Sequence, residues 1–226
     1  KKEIFKKINN KNEILEINYK GILIGDLLYD TYLKAKKKPT IDIKSDEFNI
    51  FSEEFFGLCE FWLEYFKDNR IKAIITSHSV YSYAIPLRIA IHNGVDAFGC
   101  TSRHINKLKR HQFRMHANTN EYEKIFESLD EKTQKDGIKK AKETLQNRAI
   151  GKITTNAGYF GNVKISPFNK KISKSEIIQD EKIKVLILPH DFFDAVHFYG
   201  NGIFPDFYEW LKFLGDYSKK NKRYSW

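Results

Sequence analysis

The chain has 226 residues, 41% of them hydrophobic and 30% charged, with a formal net charge of +10 at pH 7. That length suits one large domain or two small ones, and the apolar share excludes a chain disordered throughout. No apolar run reaches membrane-spanning length, the opening KKEIFKKINNKNE has no signal-peptide core, and two cysteines, Cys59 and Cys100, cannot build a disulfide framework; a reduced, cytoplasmic setting is expected.

The first stretch reads as a helix or arm up to about Asn12. Ile14, Ile17, Ile22 and Ile24 then lead into Gly25-Asp26, a short strand or tight connection over 19–27 ending in a polar group. A helix follows over 27–37 and is stopped by Lys38-Pro39. Phe51, Phe55, Leu58, Cys59, Trp62 and Phe66 recur at spacings of three and four and predict a helix over 48–67. The β-branched run 71–76 is a buried strand, Ser77-His78-Ser79 its turn, and 81–92 a helix whose Pro86 kinks it or marks its true first turn. Asn93-Gly94 closes that helix and 95–100 is the next strand. Strand, helix, strand at this length predicts a right-handed crossover and parallel pairing.

Residues 101–120 are basic and irregular. Residues 121–147 are polar and helical, broken at Leu129-Asp130, and 151–180 form a long connector rich in Asn, Lys and Ser. A strand is expected over 182–188. It stops at Pro189 and gives way to a loop carrying His190, Asp191, Asp194, His197 and Asn201 among aromatics and glycines. A helix over 204–217 follows, with Phe207, Trp210, Leu211 and Leu214 on one side. Strand, polar loop, helix N-terminus is how α/β proteins present chemistry to a ligand. The expected division is 1–170 and 171–226, with the second part an opening β-loop-α of a domain that continues beyond this sequence.

The lysines that dominate the charge lie over 1–38, 132–142, 170–184 and 219–222. They read first as a solvated surface; their functional alternative is attraction to phosphate of nucleotides or anionic lipid, with peripheral contact at the inner membrane face. No compact basic-aromatic pattern points to nucleic acid.

Three stretches carry a resemblance: 19–32 (YKGILIGDLLYDTY), 77–81 (SHSVY), and HDFFDA at 190–195 with Tyr199-Gly200-Asn201 and FPDFYEW at 204–210. On these the chain resembles bacterial glycosyltransferases of capsular and surface polysaccharide biosynthesis, of GT-B architecture. The resemblance implies an α/β fold: a Rossmann-like N-terminal domain on the acceptor side and the start of a second Rossmann-like domain on the donor side. It also implies transfer of a sugar from a nucleotide-activated donor to a glycan or lipid-linked glycan acceptor, with no resident cofactor and no catalytic metal. Most of the donor site would then lie beyond Trp226.

Glycosyl transfer needs a base for the acceptor hydroxyl and donors or cations for the leaving diphosphate. Asp26 is a candidate base or sugar-hydroxyl partner, and equally an N-cap. His78 should project at the carboxyl edge of the sheet, or serve as a turn residue. His190 and Asp191 are placed near the reacting centre. Asp194, His197, Tyr199, Gly200 and Asn201 form a wall of the cleft, the glycine backbone approaching phosphate or sugar. Arg103, in the patch 103–116, is a phosphate partner or a solvated loop residue. Tyr81, Tyr83, Tyr159, Phe160, Phe198 and Tyr199 are candidate platforms for sugar rings. Two alternatives stand beside transfer. One is a metal-dependent hydrolase or deacetylase using His190, Asp191, Asp194 and His197, whose H-D-x-x-D-x-x-H spacing offers nitrogen and oxygen ligands. The other is a non-catalytic interaction domain.

Overall fold

Residues 8–100, 105–115, 122–150 and 180–226 are described by the structure, a computed structural model. Helix α1 (Lys11–Leu15) starts at Asn10, whose side chain accepts from the Glu13 amide. Strands β1 (Asn18–Tyr19) and β2 (Ile22–Leu23) pair antiparallel across Lys20-Gly21, both at positive φ (51° and 82°), the signature of a type I′ hairpin. Helix α2 (Gly25–Lys36) begins at a glycine because nothing larger fits: a Cβ on Gly25 would stand 1.9 Å from the Ile14 carbonyl oxygen.

Helix α3 (Asp46–Asp68) is capped by Ser45, whose Oγ accepts from the Phe48 amide. Phe48, Phe55, Phe56 and Cys59 point inward at helical spacing. They meet Leu27, Leu28, Leu33 and the buried Ile85 and Leu87 of helix α4 (Ile85–His92) in one core cluster. Pro86 sits in the first turn of α4, after a short 3-10 turn at Ser82–Ala84, where its missing N–H costs nothing. Gly94 at φ 72° closes α4: Gly94 and Val95 return amides to the Ile91 and Ala90 carbonyls, the Schellman pattern.

Strand β3 (Ala73–Thr76) pairs parallel with β4 (Asp96–Cys100), in register from Ala73↔Asp96 to Thr76↔Gly99, with α4 as the crossover. Strand β5 (Ile105–Lys107) continues antiparallel on β4, giving the order β3-β4-β5. Helices α5 (Tyr122–Glu127) and α6 (Glu131–Ala149) follow, split at Leu129-Asp130 as the sequence predicts. Asp130 caps α6 through the amide and hydroxyl of Thr133. Strand β6 (Ile183–Lys184), helix α7 (Phe207–Lys220) and strand β7 (Tyr224–Ser225) complete the described elements.

The class is therefore mixed α/β with small sheets. Two compact units are formed, one of Lys1–Asn118 with Lys184–Tyr224 and Trp226, the other of Thr119–Ile183 with Ser225. The expected boundary at 170 lies outside the described residues. The strand expected over 182–188 is shortened to Ile183–Lys184. Leu186 and Leu188 are 82% and 79% exposed, because no sheet among the described residues covers them. Among the described residues no helix is long and apolar enough to cross a membrane.

Candidate functional site

Helix α2 buries one polar stripe, and that stripe organises the site. Asp26, Tyr29 and Asp30 stand at i, i+3 and i+4, hence on one face, and all three are buried. Asp26 takes a bidentate fork from Arg88 of α4, at 2.5 and 2.6 Å, and a third bond from Arg114 at 3.0 Å. Arg88 also donates to the Leu23 carbonyl at 2.6 Å. The Phe113 ring faces both guanidinium groups, at 4.5 Å and 4.8 Å. Burial alone would lift the Asp26 pKa; the two arginines more than reverse it and hold the carboxyl below its ordinary range.

One turn further along, Asp30 accepts from the His197 backbone N–H at 3.2 Å and lies 2.6 Å from His197 Nδ1. His197 Nε2 lies 2.9 Å from the Pro205 carbonyl, which can only accept, so that nitrogen carries a proton. Burial pulls the His197 pKa down, but the Asp30 carboxylate, by hydrogen bond and charge, pushes it up overall. Burial likewise pushes the Asp30 pKa up, and its bonds to His197 only partly offset this. Tyr29 donates to Asp206 Oδ2 at 2.6 Å, as does Thr40 at 2.5 Å. Asp206 Oδ1 meanwhile caps α7 through the Glu209 amide at 2.8 Å. Lys11 closes the network onto Thr40 and Glu209.

Tyr81 supplies the third tie. Its hydroxyl donates to Asp194 Oδ1 at 3.0 Å and accepts from the Ala195 amide at 2.8 Å, while Lys34 stands 4.0 Å above its ring. The backbone of Tyr81 is at φ 56°, ψ −169°, a region that side chains other than glycine rarely occupy. Ala195, its partner, is also at positive φ, 34°. Burial and the neighbouring Asp194 raise the Tyr81 pKa, so its hydroxyl stays protonated. Beside α7 a cavity of about 640 Å³ is walled by Asn12, Asp42, Lys44, Phe204, Lys212 and Phe213 among others.

The expected site residues separate into groups. Asp26, Asp194 and His197 are gathered on α2 and Tyr81. Asp26 is not the N-cap of α2, which is Ile24 without a side-chain bond; it lies inside the first turn, saturated by arginines. An inaccessible carboxylate held ionised in this way positions Arg88 and Arg114 and is a poor proton acceptor. His197 is likewise committed at both ring nitrogens. His78 is exposed at the carboxyl end of β3, its Nδ1 2.7 Å from Ser77 Oγ and its ring 6.1 Å from that of Tyr83. Asp191 is exposed and caps its own turn through the Phe193 amide; His190, also exposed, packs on Phe207 at 5.4 Å.

Tyr199 is 74% exposed, Gly200 adopts φ 115° close to Arg114, and Asn201 donates to Glu16. Arg103, Tyr159 and Phe160 lie outside the described residues. Among the described residues no three His, Cys, Asp or Glu side chains group to hold a metal ion. The H-D-x-x-D-x-x-H spacing fails because His197 turns inward to Asp30 while His190 and Asp194 face solvent.

Sequence reasoning missed Tyr29, Asp30, Arg88 and Asp206, and placed Arg114 only within the basic patch 103–116. The available signals were an i, i+4 acid pair among the leucines and tyrosines of 27–33 and a single arginine in IPLRIAI, since an ionised group on an apolar face needs a buried partner. No family model matches the chain, and neither a curated protein nor a solved structure matches it.

Proposed function

We propose that the chain serves in glycosyl transfer, moving a sugar from a nucleotide-activated donor to a surface glycan or lipid-linked glycan at the inner face of the membrane. In this reading the unit of 1–118 and 184–224 is the acceptor-side, Rossmann-like lobe of a GT-B enzyme. The observation that carries the reading is a convergence. The stretches 19–32, 77–81 and 190–210, far apart in the chain, interlock through Asp30–His197, Tyr29–Asp206 and Tyr81–Asp194. Interlocking of this kind rigidifies a loop against a scaffold, which is what substrate positioning requires.

The exposed groups around that anchor do the chemistry. His78, at the carboxyl end of β3, is the candidate base for the acceptor hydroxyl, and Asp194, held by Tyr81, is a candidate partner for sugar hydroxyls. Exposed Tyr83 and Tyr199 offer ring faces to sugars. The 640 Å³ cavity falls within the usual range of ligand sites, and its Phe204 and Phe213 walls with Asn12, Asp42 and Lys44 suit an oligosaccharide.

The test is calorimetry of the protein against a panel of nucleotide sugars and neutral oligosaccharides, with and without a chelator. Transfer predicts saturable binding that ignores the chelator and product formation that falls in His78→Gln. Binding or turnover abolished by metal removal would favour the hydrolase instead, and absence of both nucleotide-sugar and oligosaccharide binding ends the transferase reading.

A further inference from the structure

A second cavity, of about 240 Å³, opens between the β1–β2 hairpin, the end of α4 and the turn after β5. Its walls carry Arg88, His92 and Arg110, with Phe113, Asn18 and Gly21 around them, and no Asp or Glu stands among its described lining residues. Arg88 is buried, its side chain only 5% exposed, and its Nε finds no acceptor among the described residues. Behind it, Asp26 supplies one negative charge against two arginines, so the cluster is positive in balance. Arg110 gives one donor to the His92 carbonyl at 2.7 Å, which closes α4, and the remainder of its guanidinium takes no partner among the described residues.

Gly21 brings the hairpin tip against the His92 ring: a Cβ there would lie 3.0 Å from His92 Cε1. The lack of that Cβ keeps backbone and imidazole together at the wall. The open part of the Arg110 guanidinium, an imidazole and a buried arginine whose Nε has no acceptor among the described residues are matched by a tetrahedral oxyanion with several acceptor oxygens.

We propose that this cavity binds a phosphoryl group, as a phosphate monoester or a small diphosphate, with Arg110 and His92 as its donors and Arg88 as the positive wall behind. The volume is below the roughly 300–1,000 Å³ of drug-sized sites, so the group the cavity encloses is smaller than a whole nucleotide sugar, the donor of the transfer reaction. Glycosyl transfer is not assumed, because the same cavity would take phosphate whatever the enzyme does.

Inorganic phosphate, pyrophosphate and methyl phosphate are titrated into the whole protein and followed by phosphorus line width and by the amide shifts of Gly21, Ile22 and Arg110. Saturable binding is expected, weakened about tenfold in Arg110→Gln and in His92→Gln and unchanged in Lys212→Gln, which alters the other cavity. Should Arg110→Gln fail to fold, Arg110→Lys keeps the charge, removes the fork and is expected to weaken binding in the same direction. Vesicles with and without phosphatidylglycerol separate the sources. Methyl phosphate binding without vesicle attachment identifies a soluble phosphate ester, whereas vesicle attachment lost in Arg110→Gln identifies a lipid headgroup. No saturable binding at millimolar phosphate, or binding indifferent to both Arg110→Gln and His92→Gln, overturns the proposal.

Discussion

Asp26 is a single carboxylate that fixes two guanidinium groups, and its removal from water is tolerable only because both oxygens are filled. Arg88→Met should therefore cost about 3–5 kcal/mol, the usual result of stranding one member of a buried pair. Urea unfolding of the variant measures it, and a loss below about 1 kcal/mol would mean that Arg114 alone satisfies the acid. Asp26 of α2 and His197, the partner of Asp30, also set opposite pH responses. Asp26 has a depressed pKa, so its contribution holds above the ordinary carboxylate value and is lost only as pH falls through the folded one. His197 has a raised pKa. Its contribution is complete below about 6.5, the ordinary histidine value, and is lost as pH rises through the folded value. The urea midpoint should decline on the alkaline side in the parent chain, and the part of this decline that His197 carries should be lost in His197→Asn. An alkaline slope unchanged in that variant would show that the His197–Asp30 proton does not contribute.

At the scale of elements, legibility followed the range of the interaction. Helix α3 could be read because its apolar spacing, its Ser45 cap and its acidic first turn are all local, and the β3-α4-β4 unit because Pro86 and Gly94 mark the ends of α4. The segment 185–188 misled because an apolar run reads as a strand whether or not a sheet stands beside it, and among the described residues none covers Leu186 and Leu188. Asp30 and His197, or Asp26 and Arg88, meet across 167 and 62 residues, and no local pattern encodes such a pairing. The site was thus legible as a set of motifs but not as a set of contacts. Tyr81 joins the two descriptions, since its strained backbone is kept in place by its hydroxyl's grip on Asp194 and Ala195. Tyr81→Phe keeps the ring but removes that grip. It should cost about 1–2 kcal/mol and speed exchange of the Ala195 amide, read by hydrogen-exchange NMR. Unaltered Ala195 protection would show that the loop is held by His197 and Asp206 alone.

At the scale of the molecule, the question is whether 184–224 belongs to the first unit or begins a lobe of its own. Its contacts with the first unit run to buried groups: Asp30 through His197, Tyr29 and Thr40 through Asp206, Tyr81 through Asp194. A chain ending at Lys182 removes all of these at once. Asp30 and Tyr29 would be left as buried polar groups without partners, at roughly 1–3 kcal/mol each and more for the charged acid. The loss would be a large part of the ~5–15 kcal/mol that keeps a domain folded. The truncated chain should therefore lose near-ultraviolet circular dichroism and a cooperative urea transition, while restoring residues 183–226 in cis returns both. An independent lobe predicts the opposite outcome, a truncated chain that unfolds with the parent's midpoint and slope. In that event the interlocking of the three motif stretches would be incidental to the fold, and the acceptor-side reading built on it would fall.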